Sequence, residues 1–254
     1  MALRDARRTT AGMVAAVGAE VVAVMTIRIF RDLIQGSDEW LQARCGLITA
    51  SEMKLLVAPT LKVADNDKSR AHLWELLAQR ISKYVEPHFV SDDMLRGMDD
   101  EGRARAKYEE LRGPVDTAGF ITNDRWGFTM GYSPDGLVGT AGAIEVKSRR
   151  QKFQVQTIVE NLGLGRGETI PADYLMQHQT GLLVSERQWI DFVSYSGGLP
   201  MVIIRVWPDL RVQNAIIEAA GKAEHKIAAF MEIYRSMAAG LPPTERTVER
   251  EMFV

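Results

Sequence analysis

The stretch Tyr132-Ser133-Pro134-Asp135-Gly136, succeeded after a short glycine-containing turn by Ile144-Glu145-Val146-Lys147, decides how this chain folds. Upstream of it, Trp126, Phe128, Met130 and Tyr132 alternate with Gly127, Thr129, Gly131 and Ser133, the period-two pattern of a strand with one bulky face. Pro134 biases Ser133 towards an extended backbone, and Asp135-Gly136 bends the chain just past the strand. Gly139 to Gly142 make a second turn, and residues 143–148 resume as a partner strand. In a strand, alternate residues share a face, so Glu145 and Lys147 lie together while Ile144 and Val146 point into the core.

Two carboxylates converging from neighbouring strands, with a lysine beside them, form an oxygen donor set for a hard divalent cation. Magnesium is the natural occupant, and a lysine can orient water or stabilise charge on a phosphoryl group. The implied chemistry is phosphodiester hydrolysis. Taken alone, Asp135, Glu145 and Lys147 equally describe a hairpin with an Asp-Gly turn and a surface Glu/Lys pair.

Pro134-Asp135, ten residues before Glu145-Val146-Lys147, resembles the PD-(D/E)xK nuclease motif. Ser133-Pro134-Asp135-Gly136-Leu137 is similar to the form carried by the phage lambda exonuclease and YqaJ-like viral recombinase family. Trp40 to Glu52 resembles that family's N-terminal block, with Arg44, Gly46 and Ile48-Thr49-Ala50-Ser51-Glu52 at its motif positions. Gly97 with Glu101, then Tyr174-Leu175-Met176-Gln177-His178-Gln179, resemble its two remaining blocks in the same order.

The resemblance implies a restriction-endonuclease-like α/β fold, a central mixed sheet flanked by helices. It implies a magnesium-dependent exonuclease, with manganese as a substitute ion, degrading double-stranded DNA 5′ to 3′. Asp135, Glu145, the Val146 carbonyl and Glu101 would hold the metal, Lys147 would activate water, and Gln177 would contact the active site or its DNA. Arg44, Ser51 and Ser133 would bind a 5′-phosphate. The implied partners are DNA ends, a single-strand annealing protein and further copies of the chain in a ring-shaped trimer; the implied location is the bacterial host cytoplasm, with no membrane association. An endonuclease of the same motif, or an inactive DNA-end-binding module, remain the alternatives.

With 254 residues, 46% of them hydrophobic, the chain can bury one α/β core. A formal charge of −2 gives no global basic signature, so nucleic-acid contact must come from local clusters. Arg103, Arg105 and Lys107, with Lys147, Arg149, Arg150 and Lys152, are the available ones. A single cysteine, Cys45, excludes a disulfide framework and a four-cysteine cluster. His72, His88, His178 and His225 show no ligand spacing, so the sequence predicts no zinc site.

Residues 1–24 read as an N-terminal extension, basic then alanine- and valine-rich, and 25–254 as one domain. The extension looks superficially like a secretory signal, but Glu20 interrupts its apolar run. Gly36-Ser37-Asp38 offers an N-cap for a short helix through Arg44, closed by Gly46; Thr49 and Glu52 predict a capping box opening a helix that stops before Pro59. Leu73, Leu76, Leu77, Ile81 and Tyr84 predict an amphipathic helix, and another runs from about Leu95 to Leu111 with Met98, Tyr108 and Leu111 among its apolar positions. Asp99 and Asp100 read as acids serving the helix dipole. Residues 148–171 read as a flexible connection. Pro171 sits at the start of a helix carrying Tyr174, Gln177, His178 and Gly181, and residues 190–195 and 201–207 read as strands. A long helix after Pro208 carries Ile216, Ala220, Ala223, Ile227, Phe230, Tyr234 and Met237 as a packing seam.

Overall fold

The computed structural model describes residues 27–87, 91–164 and 169–246. The expectations for residues 1–24 and for part of the glycine-rich stretch 163–167 therefore lie outside the described residues. The chain forms two four-stranded mixed sheets with helices packed on them.

The first sheet has the order β1-β3-β4-β2, built from β1 (Ile27–Phe30), β2 (Ile48–Thr49), β3 (Phe120–Asn123) and β4 (Met130–Tyr132). β1 and β4 each pair antiparallel with β3, while β2 adds to β4 in parallel. The alternation predicted over residues 126–133 gives a strand only from Met130, because residues 124–127 form a turn with Gly127 at φ +80°. The second sheet has the order β5-β6-β7-β8, from β5 (Gly136–Val138), β6 (Gly142–Ser148), β7 (Trp189–Tyr195) and β8 (Val202–Val206). Only its central β6–β7 pair is parallel. The expected central sheet is thus divided, and the break between β4 and β5 falls at Ser133-Pro134-Asp135.

Six helices flank these sheets among the described residues: α1 (Asp38–Arg44), α2 (Asp67–Ser82), α3 (Asp92–Arg112), α4 (Gln151–Gln156), α5 (Leu175–Ser185) and α6 (Leu210–Ala238). Ser37 caps α1 as predicted, its hydroxyl accepting from the Trp40 N–H at 3.2 Å. The box expected at Thr49 does not form. The Thr49 hydroxyl instead donates to Glu52 Oε2 at 2.9 Å, and the next residues, Ala50–Leu55, form a 3-10 helix. A true capping box opens α2, where the Asn66 and Ser69 side chains each bond the other's backbone.

Within the segment expected to be a flexible connection, residues 151–163 are helical. α4 runs into a π-helix over Thr157–Gly163. A tertiary contact holds it: Gln154 is fully buried, donates to the carbonyls of Ser194 and Pro200, and accepts from the Ser194 hydroxyl. In α3, Ala104 and Tyr108 are buried, but Met98 and Leu111 are exposed, so only one of the three apolar positions singled out serves the core. In α6 the buried seam holds from Val212 to Ile227 and Phe230 stacks on Trp74 of α2, after which Tyr234 and Met237 emerge into solvent. The main core lies where α5, α6 and α2 meet the sheets, around Met53, Leu76, Tyr132, Leu182, Phe192 and Ile216. Burying one such large apolar side chain contributes roughly 1.5 to 3 kcal/mol.

Candidate active site

The predicted constellation assembles where β4 ends and β5 begins. The β5–β6 ladder stops at the Gly136–Ile144 pair, so beyond it the Val146 N–H has no strand partner on that side. The Asp135 carboxylate takes its place, Oδ2 accepting from that N–H at 2.5 Å. Glu145 and Lys147 share the same face of β6, as the alternation requires, while Ile144 and Val146 pack in a second cluster with Tyr108 and Val193.

Glu145 is 2% exposed and held at both oxygens. Lys147 Nζ donates to Oε1 at 2.8 Å and the Gln177 amide donates to the same atom. Tyr132 OH donates to Oε2 at 3.0 Å. Gln177 reaches this point from the first turn of α5, and Gly181 one turn later is small for a reason: a Cβ there would lie 2.9 Å from the Tyr132 ring. Lys147 sits 5.6 Å from the centre of the Tyr174 ring.

Electrostatics follow from burial. Desolvation and then the charge of Glu145 push the Asp135 carboxyl well above the usual carboxylate range, with Glu101 adding in the same direction. Lys147 and the Val146 N–H oppose this without cancelling it. Desolvation works against the Lys147 ammonium, but Glu145 and Asp135 outweigh it and leave its pKa raised, so it stays charged. Two converging carboxylates, Glu145 buried and Asp135 partly so, with one lysine beside them retain unneutralised repulsion. The donors are all oxygen, so the residues fit a divalent magnesium-like or manganese-like cation.

Glu101 stands further off. It pairs with Arg105 at 2.8 Å, one turn along α3, and acts on Asp135 through its charge. Its neighbour Asp100 does not have the dipole role expected of it, because α3 begins at Asp92 and Asp100 lies beyond its first turn; it is 6% exposed and accepts from the Ser148 hydroxyl at 2.6 Å, while Arg96 Nε donates to that hydroxyl at 3.1 Å. This pair ties α3 to the end of β6.

Arg44, Ser51 and Ser133 converge beside the carboxylates and, with Asp135, Glu145, Lys147 and Gln177, line one cavity of about 230 Å³. Arg44 stacks 4.2 Å from the Trp40 ring centre and reaches Ser133 Oγ at 3.3 Å, Thr49 Oγ1 at 3.4 Å and Ser51 Oγ at 3.5 Å. These are long for hydrogen bonds, so an anion offering contacts nearer ~2.8 Å would displace them. Trp40 Nε1 donates to Ser133 Oγ at 3.0 Å, and Gln35 holds the Pro134 carbonyl at 2.9 Å. Gly46, two residues past the arginine, has φ +71°, and a Cβ there would meet Arg80 Cγ at 2.6 Å. Arg80 in turn donates to the Gly46 carbonyl and forms a two-pronged ion pair with Glu224 of α6.

A larger cleft of about 740 Å³ adjoins, lined by Arg96, Arg149, Arg150, Lys152, Phe153 and Tyr174 among others. Of the basic clusters named from sequence, the one at Arg149, Arg150 and Lys152 lines this cleft. Arg105 and Lys107 are instead engaged by acids of their own helix. Sequence reasoning missed Tyr132 as a clamp on Glu145 and Trp40 as the platform for Arg44; the motif contains Trp40 but does not disclose what it touches.

The structure is similar to that of an alkaline exonuclease from Laribacter hongkongensis, at 29% identity and a TM-score of 0.69, over 81% of this chain and 100% of that one. It is equally similar to that protein in complex with dAMP, at 30% identity over the same shares, with a TM-score of 0.69. A phage-related exonuclease from Haemophilus somnus shares the fold at 13% identity and a TM-score of 0.50, over 73% of this chain and 96% of that one. No curated protein matches significantly. The profile of the YqaJ-like viral recombinase domain matches residues 39–188, which include Arg44, Glu101, Asp135, Glu145, Lys147 and Gln177. The chain belongs to the YqaJ-like viral recombinase domain family.

Proposed function

We propose that this protein is a magnesium-dependent exonuclease that degrades double-stranded DNA from its 5′ ends. The observation that carries the proposal is the shared cavity: the Asp135–Glu145–Lys147 group and the Arg44–Ser51–Ser133 anion pocket open into the same 230 Å³ space. A terminal phosphate held at Arg44 would place the first phosphodiester next to the carboxylates, which sets both polarity and step size.

Asp135, Glu145 and the Val146 carbonyl would hold the cation, with Glu101 contributing charge from α3. When bound, the cation supplies Lewis acidity to the phosphoryl group and to its attacking water. Lys147, kept charged by the two carboxylates, orients that water and offsets charge developing on the phosphoryl oxygens. Gln177 and Tyr132 keep the Glu145 carboxylate in place. The cleft lined by Arg149, Arg150 and Lys152 supplies the positive surface that the overall charge lacks, and suits the phosphodiester backbone beyond the cut.

Assembly into a ring-shaped trimer, delivery of 3′ single strands to an annealing protein, and action in the host cytoplasm belong to the same proposal. Exposed Ile233, Tyr234 and Met237 on α6 support a contact between subunits. No helix among the described residues is long and apolar enough to cross a membrane.

Asp135→Asn and Lys147→Ala test the reaction. Loss of one well-placed electrostatic group costs about 3 to 4 kcal/mol of transition-state stabilisation, a rate loss of roughly 100- to 1000-fold. Duplex-end binding and the circular dichroism spectrum should persist. Near-native digestion by either variant would remove these residues from the active site.

A further inference from the structure

We propose that His72 and Glu52, with Glu75 orienting the imidazole, form a second metal site, separate from the Asp135 centre, for one first-row transition-metal cation of the zinc or manganese class. The scattered histidines give no ligand spacing in the sequence, yet the fold carries His72 of α2 to Glu52 of the 3-10 helix, about twenty positions earlier. One ligand atom from each of the three residues lies within 4.8 Å of the other two.

The imidazole decides the matter. The His72 side chain is 2% exposed, and among the described residues its buried Nε2 has no hydrogen-bond partner, a costly state for a polar atom. Nε2 faces Glu52 Oε2 at 4.0 Å, while Nδ1 lies 3.4 Å from Glu75 Oε2. If Nδ1 carries the proton it donates to Glu75, and the Nε2 lone pair then faces the Glu52 carboxylate. If Nε2 carries it, Nδ1 confronts the other carboxylate. A neutral ring cannot satisfy both sides, and a cation between Nε2 and Glu52 can. Histidine with carboxylates is a donor set that zinc and manganese accept, and Glu75 on Nδ1 matches the carboxylate–histidine–metal arrangement that fixes the ring.

Donors around a tetrahedral zinc stand roughly 3.4 Å apart, so Glu52 must approach by about half an ångström. Its side chain is 34% exposed and tied by the Thr49 hydroxyl, so it can move. The Glu75 side chain, at the Nδ1 edge of the ring, is 38% exposed and accepts from Gln79 at 3.3 Å. Once bound, the ion joins the 3-10 helix that carries Ser51 to α2. The rival occupant is a second proton on His72, making an imidazolium between two carboxylates.

Zn²⁺ alone, titrated calorimetrically into metal-free full-length protein carrying Asp135→Asn, separates the two. That background disables the other carboxylate centre, so the result does not depend on the nuclease reading. Adding Glu75→Gln or His72→Gln should remove one zinc per chain, or weaken it at least about tenfold, and abolish the rise in melting temperature that zinc gives the parent. Equal zinc stoichiometry and equal thermal response in parent and variants, or no zinc bound by the parent, would overturn the site and leave the imidazolium. If His72→Gln loses its native circular dichroism, the solvent-accessible Glu75→Gln decides.

Discussion

Replacing Arg44 by alanine tests the proposed pocket for a 5′-phosphate. The guanidinium is half-buried against Trp40, and desolvation lowers its pKa from the usual value while Glu52 partly restores it, so it remains charged. Its three hydroxyl contacts at 3.3 to 3.5 Å are weak, so the free site holds a cation without strong partners, ready for a phosphate. A hydrogen bond to a charged group contributes about 1.5 to 3 kcal/mol, and an arginine fork on phosphate makes two. Allowing for water that replaces the lost side chain, about 2 to 3 kcal/mol should disappear, a fall of roughly 30- to 150-fold in kcat/KM on 5′-phosphorylated duplex. On 5′-hydroxyl duplex the fall should be small. The assay is release of acid-soluble nucleotide from two otherwise identical duplexes, with Arg44→Lys as an intermediate case that keeps charge but loses the fork. Equal slowing on both ends, with an unchanged melting temperature, would refute the phosphate pocket.

Tyr132→Phe removes the hydroxyl that donates to Glu145 Oε2 and should weaken Mg²⁺ binding by about 10- to 100-fold, measured by calorimetry; unchanged affinity would make Tyr132 a core residue alone. His178 tests pH dependence: burial pushes its pKa down to about 4, and Nδ1 is engaged by the Tyr174 carbonyl. A histidine depressed on folding stabilises above its ordinary value and loses that contribution as pH falls from about 6.5 towards 4. Urea unfolding should therefore show about 2 kcal/mol lost between roughly pH 7.5 and pH 5, and a flatter profile in His178→Asn. Gly181→Ala should lower the melting temperature and slow digestion together, because the added methyl meets the Tyr132 ring that holds Glu145; normal activity in that variant would uncouple the ring from the site.

The parts of the site written into local patterns could be read directly from the chain. Alternation along β6 put Glu145 and Lys147 on one face, and the Asp-Gly turn placed Asp135 at the strand's end. The α6 seam was legible for the same reason, as far as Phe230; beyond it Tyr234 and Met237 continue the pattern into solvent, which periodicity cannot foresee. Features that depend on tertiary partners stayed hidden. Tyr132 alternates like any core aromatic, and only its approach to Glu145 gives it a second role. Asp100 reads as a dipole residue when the helix is started at about Leu95, but α3 begins at Asp92 and Ser148 is brought to the Asp100 carboxylate. α4 is largely polar, and its order comes from Gln154 bonding to Ser194 and Pro200 across the sheet. Thr49 and Glu52 had the spacing of a capping box, but the hydroxyl was drawn to the carboxylate.

The most direct test of 5′-to-3′ exonuclease action follows the two strands of one duplex separately. A linear DNA labelled at the 5′ terminus in one sample and at the 3′ terminus in another is digested in Mg²⁺, with closed circular DNA alongside. The expected result is early release of the 5′ label as a mononucleotide, retention of the 3′ label on a single strand, an intact circle, and none of these products from Asp135→Asn. Early release of the 3′ label, or cleavage of the circle, would contradict it.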